Sequence, residues 1–315
     1  AVLASIRWSP DGTRLAVAAF KDHVIRTHRT SGAPEWKFEA GTTVKTSHVQ
    51  YNFDVAWSPD GWSIATANGD TSAQVHDVET GALLKKCEDH GNEVTAVTWS
   101  PDGRKMATSS MDKTVAVWDV NNLSQSKRRG GGGGGGRGGG GGSGGDKGEG
   151  EGEQGVVVIA LRHTNMVSCA SWSPDGGAIA SAGGASTDPH VLLWDLKTFT
   201  ATKIDELNRR NCPWNLAWSP DGRALAVAAR HHDEIRVYSR TNLEDPNDVL
   251  RESRRLREWC GEVSAIDGSW MRDGSDPHAV AWSPDGDHLV TAGGHWANVW
   301  DASSWESKAR YKHDG

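Results

Sequence analysis

One five-residue sequence, Trp-Ser-Pro-Asp-Gly, occurs six times along the chain and constrains its fold more than any other feature. The proline fixes its own φ near the value that a turn needs, the aspartate accepts a hydrogen bond from the backbone after it, and the glycine adopts the positive φ that other residues resist. The pentapeptide therefore predicts a tight turn between two β-strands. Its copies begin at Trp8, Trp57, Trp99, Trp172, Trp218 and Trp282.

The copy at Trp99 shows most clearly what surrounds each turn. A β-branched run at residues 94–99 leads into the turn, a second run at 105–108 follows it, and a third run at 114–119 follows another short turn at Asp112. Three short runs joined by two tight turns predict an antiparallel meander, with room for a fourth strand before the next copy. A unit of this kind that recurs along the chain predicts a repeated array of small sheets.

The stretch from His90 to Asp119 resembles a WD repeat, because it combines a histidine lead-in, a Ser-Pro-Asp-Gly turn and a closing Trp-Asp pair. The same pair recurs at residues 194–195 and 300–301. The resemblance implies a toroid of four-stranded blades, roughly one for every 40 to 45 residues. The pentapeptide also occurs in TolB-type propellers and in propellers attached to serine peptidases, but the Trp-Asp pairs and histidine lead-ins favour the WD type. We expect an all-β, WD40-type β-propeller that spans residues 1–315 as a single domain.

The number of blades is six if each pentapeptide marks one blade. Two segments leave a ring of seven open. Residues 311–315 resemble a lead-in that could close the ring on the first blade or begin a further blade, and residues 262–274 resemble a decayed repeat that is too short for a complete blade. We expect six four-stranded blades, with seven as the alternative if the chain is a fragment or the decayed repeat contributes.

Polar residues recur at fixed distances from the pentapeptides. A histidine lies nine residues before three of the tryptophans, and a threonine or serine lies nine residues after four of them. In WD repeats, the positions that these residues resemble form a buried network of His, Ser or Thr, Asp and Trp, which stabilises a fold only when every member is paired. The resemblance implies the following network residues: His48, Thr66, Asp70, His90, Thr108, Asp112, Trp118, His163, Ser181, Asp188 and Trp194.

One face of the expected propeller carries most of the histidines. The loops before the first strands and the turns between the second and third strands open on the same face, and they hold nine of the 13 histidines. This crowding indicates either a pH-responsive or metal-binding surface, or network members together with polar loop residues, and no spacing matches a defined metal site. We expect partners to dock on this face. The candidate contacts, chosen by loop position, are Lys21, His23, Met111, Lys113, His190, His231, His232, His295 and Trp296.

Two long insertions separate neighbouring copies of the pentapeptide. Residues 127–155 are mostly glycine and cannot bury enough apolar surface to offset the entropy of ordering, so we expect a disordered loop inserted in blade three, followed by the delayed outer strand of that blade at 156–160. Residues 246–277 form an insertion between blades five and six. Within it, the basic and apolar residues at 250–259 predict a short helix or a solvated loop with one packed turn.

Composition argues against several classes of function. The net charge of -7 gives no reason to expect DNA binding, and no apolar run approaches the length of a membrane span. A match to Gly-x-Ser-x-Gly at residues 141–145 lies in polyglycine, without the strand and helix that a nucleophile elbow needs. We therefore expect no enzyme activity, no cofactor and no catalytic or metal-binding residues.

We expect a protein-interaction scaffold whose partners are other proteins or peptides, with no role at a membrane. One alternative is RNA association through Arg128, Arg129 and Arg137 in the glycine-rich insertion, and another is an accessory propeller of a larger multidomain protein. The four cysteines lie far apart and lack a metal-binding spacing, which fits a reducing compartment. We expect a cytoplasmic location, with the nucleus as the alternative.

Overall fold

The computed structural model consists of six sheets, each built on four antiparallel strands, with one short parallel strand added to the second sheet and no helix among the residues that it describes. The prediction of a WD40-type β-propeller with six blades is confirmed. No described segment is a helix long and apolar enough to cross a membrane. The described residues are 3–19, 24–30, 38–45, 51–121, 153–154, 157–183, 190–206, 212–230, 235–239, 251–256, 277–293 and 296–312.

The first three blades contain the strands up to residue 162. Blade one comprises β1 (Leu3–Trp8), β2 (Arg14–Ala19), β3 (Val24–Thr30) and β4 (Phe38–Lys45). Blade two comprises β5 (Asn52–Trp57), β6 (Ser63–Asn68), β7 (Ala73–Asp77) and β8 (Leu83–Cys87). Blade three comprises β9 (Val94–Trp99), β10 (Lys105–Ser110), β11 (Thr114–Asp119) and, after the two-residue strand β12 (Glu153–Gln154), β13 (Val157–Arg162).

The last three blades follow the same plan, in which the first strand is innermost and the fourth is outermost. Blade four comprises β14 (Val167–Trp172), β15 (Ala178–Gly183), β16 (His190–Asp195) and β17 (Thr200–Glu206). Blade five comprises β18 (Cys212–Trp218), β19 (Ala224–Arg230), β20 (Ile235–Ser239) and β21 (Arg251–Leu256). Blade six comprises β22 (Pro277–Trp282), β23 (His288–Gly293), β24 (Trp296–Asp301) and β25 (Ser307–Lys312).

The pentapeptide forms the corner between the first and second strands of each blade. In blade three, Ser100 Oγ donates to Asp102 Oδ1 at 2.6 Å and accepts from the N–H of Lys105 at 2.9 Å. Gly103 has a φ of 68°, which is the left-handed region that costs glycine least. Hydrogen bonds from Ser100 and from the N–H of Arg104 hold the pKa of Asp102 below its ordinary value. The conformation of the corner is therefore fixed by its own residues and does not depend on contacts with another blade.

The tryptophans of four pentapeptides donate a hydrogen bond to the blade before them. Trp57 Nε1 donates to the carbonyl of Arg7 at 3.0 Å, and Trp99 Nε1 donates to the carbonyl of Ala56 at 3.2 Å. The bond recurs from Trp218 to Ser171 at 3.3 Å and from Trp282 to Ala217 at 3.1 Å. The indole N–H of Trp172 meets no acceptor among the described residues. In four of the five contacts between consecutive blades, a corner tryptophan thus ties one blade to the inner strand of the blade before it.

Every inner strand carries a β-bulge four residues before the tryptophan of its pentapeptide. Because the inner strands begin on the face where the second-to-third-strand turns lie, all six bulges lie near that face, at one mouth of the central channel. A bulge bends the strand and turns one side chain out of the regular alternation. The bulged residues are Ala4, Phe53, Thr95, Ser168, Trp214 and His278.

The segment predicted to be a helix or a loop in the second insertion is a strand where the structure describes it. Residues Arg251–Leu256 form β21, which pairs antiparallel with β20, and Leu256 is buried opposite Ile235. The helix and loop predictions were wrong for these residues because β20 offers an open edge of backbone donors and acceptors, which an extended segment satisfies. The insertion predicted at 246–277 therefore includes the outer strand of blade five.

The glycine-rich insertion is described only at its end. Glu153 and Gln154 pair in parallel with Lys85 and Lys86, so the predicted disorder was wrong for these two residues, and blade two gains a fifth strand. β13 then pairs with β11 as the delayed outer strand that the sequence predicts. Residues 122–152 lie outside the described residues.

Replacing Gly103 by alanine is expected to lower the free energy of unfolding by about 1 to 2 kcal/mol, because a β-carbon is strained at this positive φ. Urea unfolding followed by tryptophan fluorescence measures the change. Gly91→Ala is the control, since a β-carbon there would meet Asp112 at an ordinary 3.8 Å and Gly91 does not have a positive φ. Equal losses in both variants would contradict the role assigned to the corner.

Candidate functional site

Blade three contains a series of buried hydrogen bonds that links two of its strands, β10 and β11, to the loop before β9 and to the turn between β10 and β11. Trp118 Nε1 donates to Thr108 Oγ1 at 2.7 Å, and Thr108 Oγ1 lies 2.7 Å from His90 Nε2. His90 Nδ1 lies 2.8 Å from Asp112 Oδ2. The structure thus brings together all four residues that the resemblance implies for this blade.

The chemistry of the partners fixes the direction of these bonds. The ionised carboxylate of Asp112 can only accept, so the Nδ1–H of His90 donates to it. Burial opposes ionisation of Asp112, but hydrogen bonds from Thr114, His90 and Gly91 outweigh burial, so the pKa of Asp112 lies below its ordinary value. His90, Thr108, Asp112 and Trp118 therefore find their hydrogen-bond partners inside blade three.

Blade four contains a similar series of hydrogen bonds, in which His190 takes the place that Asp112 has in blade three. Trp194 Nε1 donates to Ser181 Oγ at 2.7 Å, and Ser181 Oγ lies 2.7 Å from His163 Nε2. His163 Nδ1 lies 3.2 Å from His190 Nε2, and the two imidazole rings stack with centroids 5.2 Å apart. Burial, and then the neighbouring His190, lower the pKa of His163 to about 3. Asp188, which we expected in this position, lies outside the described residues.

Blades two and six hold incomplete versions of the chain within the described residues. In blade two, Thr66 is fully buried and its hydroxyl bonds to no described residue, whereas Asp70 accepts from Ser72 at 2.7 Å. His48 lies outside the described residues. In blade six, Trp300 Nε1 donates to Thr291 Oγ1 at 3.0 Å. The Trp-to-hydroxyl bond is the part of the network that recurs in blades three, four and six.

The candidate contacts of the partner-binding face are only partly described. Met111 is half-buried and Lys113 is exposed, both in the turn between β10 and β11. His190, which we expected on the surface, is instead buried, because it fills the place beside His163 inside blade four. Trp296 begins β24, and nothing is described of its side chain. The remaining candidates lie outside the described residues: Lys21, His23, His231, His232 and His295.

The mouth of the channel carries exposed aromatic residues that loop position did not single out. Tyr51 and Trp214 are exposed, and the rings of Tyr51 and Phe53 meet edge to face with centroids 6.4 Å apart. Phe53 and Trp214 are bulged residues of β5 and β18. Their shared distance of four residues from the pentapeptide tryptophan is the sequence signal that would have found them.

A buried carboxylate ties the first three blades together beside the channel. Asp54 Oδ1 accepts from Ser5 Oγ at 2.6 Å and lies 3.3 Å from a guanidinium nitrogen of Arg7, both in blade one. Asp54 Oδ2 accepts from the N–H of Val97 in blade three at 3.3 Å. Because these groups occupy both oxygens, Asp54 is a structural link between blades.

Within the described ranges, no three His, Cys, Asp or Glu side chains are placed to hold a metal ion. The two described cysteines, Cys87 and Cys169, are free and buried. Burial raises the pKa of the Cys87 thiol to about 12, and burial likewise raises the pKa of Cys169. Neither thiol is activated as a nucleophile.

Two family models match the chain. The model described as "WD domain, G-beta repeat" matches residues 81–119, 156–195 and 260–301. The model described as "Anaphase-promoting complex subunit 4 WD40 domain" matches residues 18–99. Together the two models cover more than half of the chain.

The chain is also similar to parts of longer proteins. It is 27% identical to Protein HIR1 of Candida albicans over 170 residues, which are 44% of this chain and 18% of that protein. It is 30% identical to the Denticleless protein homolog of Xenopus tropicalis over 83 residues, which are 26% of this chain and 11% of that protein. Its identity to the Gallus gallus homolog is 34% over 88 residues, or 26% and 12% of the two chains. The chain spans less than a fifth of the length of each of these relatives.

Replacing Thr108 by valine is expected to destabilise the protein, because valine keeps the shape but leaves His90 Nε2 and Trp118 Nε1 buried without their partner. Each buried group left unpaired costs about 1 to 3 kcal/mol. Chemical denaturation of the variant and the parent measures the difference.

Thr66→Val in blade two is the matched control for Thr108→Val. Its hydroxyl is buried without a bond to any described residue, so the substitution should leave stability unchanged or raise it. If Thr66→Val costs as much as Thr108→Val, the loss reflects packing and the network assignment is wrong.

Acidification is expected to destabilise blade four through His163. Its folded pKa of about 3 lies below the ordinary 6.5, so between these values the unfolded chain binds a proton that the folded chain does not. The stabilising contribution is therefore complete above pH 6.5 and is lost as the pH falls, at up to about 1.4 kcal/mol per pH unit. Chemical denaturation gives the free energy of unfolding at about pH 5 and at about pH 6.5. The difference between these two free energies should be smaller for His163→Gln than for the parent chain. An unchanged difference would exclude His163 as the source.

Proposed function

The chain belongs to the WD-repeat family of β-propeller proteins, and we propose that it is a non-catalytic scaffold that binds other proteins at one mouth of its central channel. The observation that carries the proposal is the exposure of two aromatic side chains at the starts of inner strands, Tyr51 before β5 and Trp214 in β18. Exposed tyrosine and tryptophan are the side chains that most often anchor a protein interface, because each buries a large, rigid surface on binding.

The mouth and the second-to-third-strand turns form one continuous surface. The N–H of Gly69, in such a turn, donates to the carbonyl of Tyr51 at 2.7 Å, and the N–H of Met111 donates to the carbonyl of Glu93 at 3.0 Å. These bonds hold the turns against the segments that lead into the inner strands. Met111 and Lys113 therefore lie on the same face as the aromatic residues and extend the proposed binding surface outward from the channel.

The fate of the polar side chains supports binding rather than catalysis. His90, Asp112 and His163 are engaged in bonds inside their blades, and Asp54 is engaged between blades. A general base or nucleophile has to reach a substrate within hydrogen-bond distance. Because these polar side chains are engaged within and between blades while aromatic side chains are exposed, the arrangement suits binding to another protein.

The similar proteins support a role within a larger assembly. One matched model is named for a subunit of the anaphase-promoting complex, and the relatives are several times longer than the parts that match this chain. We propose that this chain likewise works as one module among others. RNA association through the glycine-rich insertion remains an alternative prediction, since its arginines lie outside the described residues.

We also propose a cytoplasmic or nuclear location. Cys87 and Cys169 are free thiols buried in different blades, which suits a reducing compartment.

The double substitution Tyr51→Ala and Trp214→Ala is expected to abolish partner binding while leaving the fold intact, because both side chains are exposed and neither belongs to a core cluster. The tagged parent chain and the variant are compared by quantitative mass spectrometry of the proteins that they capture from a native extract. Truncating an interface anchor costs roughly 2 kcal/mol or more, so captured partners should fall at least about 30-fold.

Trp62→Ala is the matched control, because Trp62 is at least as exposed but follows the corner at the other end of β5. Capture should be unaffected by this change. Equal capture by the parent and the double variant, or equal loss in the Trp62 variant, would exclude the channel mouth as the docking surface.

A further inference from the structure

Among the sheets that the described residues form, only that of blade two has a fifth strand, and this strand comes from elsewhere in the chain. β12 lies beside the outer strand β8 and runs parallel to it, with Glu153 in register with Lys85 and Gln154 in register with Lys86. The next strand, β13, begins at Val157 and belongs to blade three. The chain therefore visits the outer edge of blade two between two strands of blade three.

The two lysines of β8 have different surroundings. Lys85 is only 7% exposed, and its ammonium group donates to the carbonyl of Asp119 in blade three at 3.0 Å. Lys86 is half-buried, and its ammonium nitrogen lies 2.5 Å from a carboxylate oxygen of Glu88. Successive residues of a strand point to opposite faces of the sheet, and a nearly buried cation is stabilised by a carboxylate because little water reaches it. Lys85 is therefore the residue of this edge that best recognises an acidic neighbour.

The sequence that supplies β12 has an acidic pattern of period two. Glutamates occupy positions 149, 151 and 153, and glycines occupy positions 148, 150 and 152. In any extended segment, this alternation places all of the carboxylates on one side. Glu153 is the member of the series that lies in register with Lys85. The pattern thus defines the kind of segment that suits this edge.

The pairing of β12 is small. It joins two residues to the five-residue strand β8. Two paired residues form few hydrogen bonds, whereas each ordered residue loses backbone entropy. A short edge strand of this kind can open locally while the rest of the sheet stays folded. A segment of another protein that pairs along more of β8 is therefore able to replace β12.

We propose that the outer edge of blade two binds an extended acidic segment of a partner protein, and that β12 occupies this edge in the absence of the partner. The segment runs parallel to β8 and sets a carboxylate in register with Lys85. Binding by strand addition takes its affinity from main-chain hydrogen bonds and its specificity from alternate side chains. This edge lies on the outside of the propeller, whereas Tyr51 and Trp214 lie at the channel mouth, so the site is independent of the proposed function.

The first experiment asks whether β12 protects the edge of blade two. The double variant Glu153→Pro and Gln154→Pro removes both backbone N–H groups of β12. Hydrogen exchange at residues 83–87, measured by mass spectrometry, should become about tenfold faster or more, because edge amides without partners exchange while the sheet stays folded. The control, Gly144→Pro with Gly145→Pro, places two prolines elsewhere in the same insertion. Unchanged exchange in the first variant, or an equal increase in both, would overturn the proposal.

The second experiment asks whether the edge accepts a segment from another molecule. Lys86→Cys is made in a chain that carries the two prolines in β12 together with Cys212→Ser and Cys260→Ser. The new thiol exchanges with the peptide Gly-Glu-Gly-Glu-Gly-Glu-Cys-Gly, supplied as its disulfide with β-mercaptoethanol, and intact mass gives the fraction of chain that is linked. The peptide's cysteine takes the place of Gln154, so the link fixes the register. Cys87 does not compete, because it is buried and burial raises the pKa of its thiol to about 12.

The matched control is the peptide Glu-Gly-Glu-Gly-Glu-Gly-Cys-Gly, which has the same composition and charge but sets its carboxylates on the face of its cysteine. The first peptide should be trapped about tenfold more than the control, because a hydrogen bond to a charged group is worth at least that factor. A chain that keeps β12 should trap the first peptide about fivefold less, since a tethered segment competes at a high effective concentration. Equal trapping of the two peptides, or equal trapping with and without β12, would overturn the proposal.

The third experiment tests the role of Lys85. Lys85→Met removes the charge and keeps the length of the side chain, so the two peptides should then be trapped equally. Lys85→Arg keeps a cation and should retain the preference for the first peptide. Urea unfolding of both variants shows that each remains folded. A preference that survives in Lys85→Met, or that is absent from a folded Lys85→Arg, would overturn the recognition of a carboxylate by Lys85.

The fourth experiment tests the source of the segment. A photo-crosslinking amino acid replaces Lys86 in cells, and the linked peptides are identified by mass spectrometry. Links to acidic segments of another protein should be about fivefold more frequent with the two prolines in β12 than with those at Gly144 and Gly145, because the tethered competitor is then lost. These links should persist in the Tyr51→Ala and Trp214→Ala variant, which separates this site from the channel mouth. Links to another copy of this chain, or to segments without carboxylates, would overturn the proposal.

Discussion

The contact between consecutive blades is the constraint on which the rest of the molecule depends. Each corner closes by its own serine, aspartate and glycine. Four of the corners donate an indole N–H to a carbonyl of the previous inner strand, and five of them pack their glycine near the proline of the previous corner. A small difference in this contact would accumulate over six blades, so a uniform contact is what gives a regular arrangement of blades. The glycine is required for its backbone, because its φ is positive at each of the six corners.

The features that the sequence predicts best are those that depend on short segments. The pentapeptide is a complete turn in itself, so its residues alone locate the six corners, and the runs beside each corner predict the strands. The network of blade three can also be predicted from sequence, since His90, Thr108, Asp112 and Trp118 lie at fixed distances from one corner. The hydroxyl of Thr66, which bonds to no described residue, shows the limit of spacing, because the same distance from the corner does not guarantee the same partners.

The features that were missed depend on neighbours distant in sequence. His190 reads as a turn residue by position, but the space beside His163 draws it into the interior. Arg251–Leu256 reads as basic and irregular, yet the free edge of β20 imposes an extended conformation on it. The bulge that exposes Trp214 is a property of the pairing of two strands, and it becomes visible in the sequence only after the repeats are aligned on their corners.

The order of strands has a consequence for how the molecule opens. The four main strands of every blade follow one another in the chain, and only the short strand β12 joins a blade, blade two, from elsewhere in the sequence. In the described residues no strand from one end of the chain is woven into a blade at the other end, so the array behaves as a row of units coupled to their nearest neighbours. Amide hydrogens of the end blades then exchange with solvent through local fraying. Those of the middle blades exchange only when several blades open together.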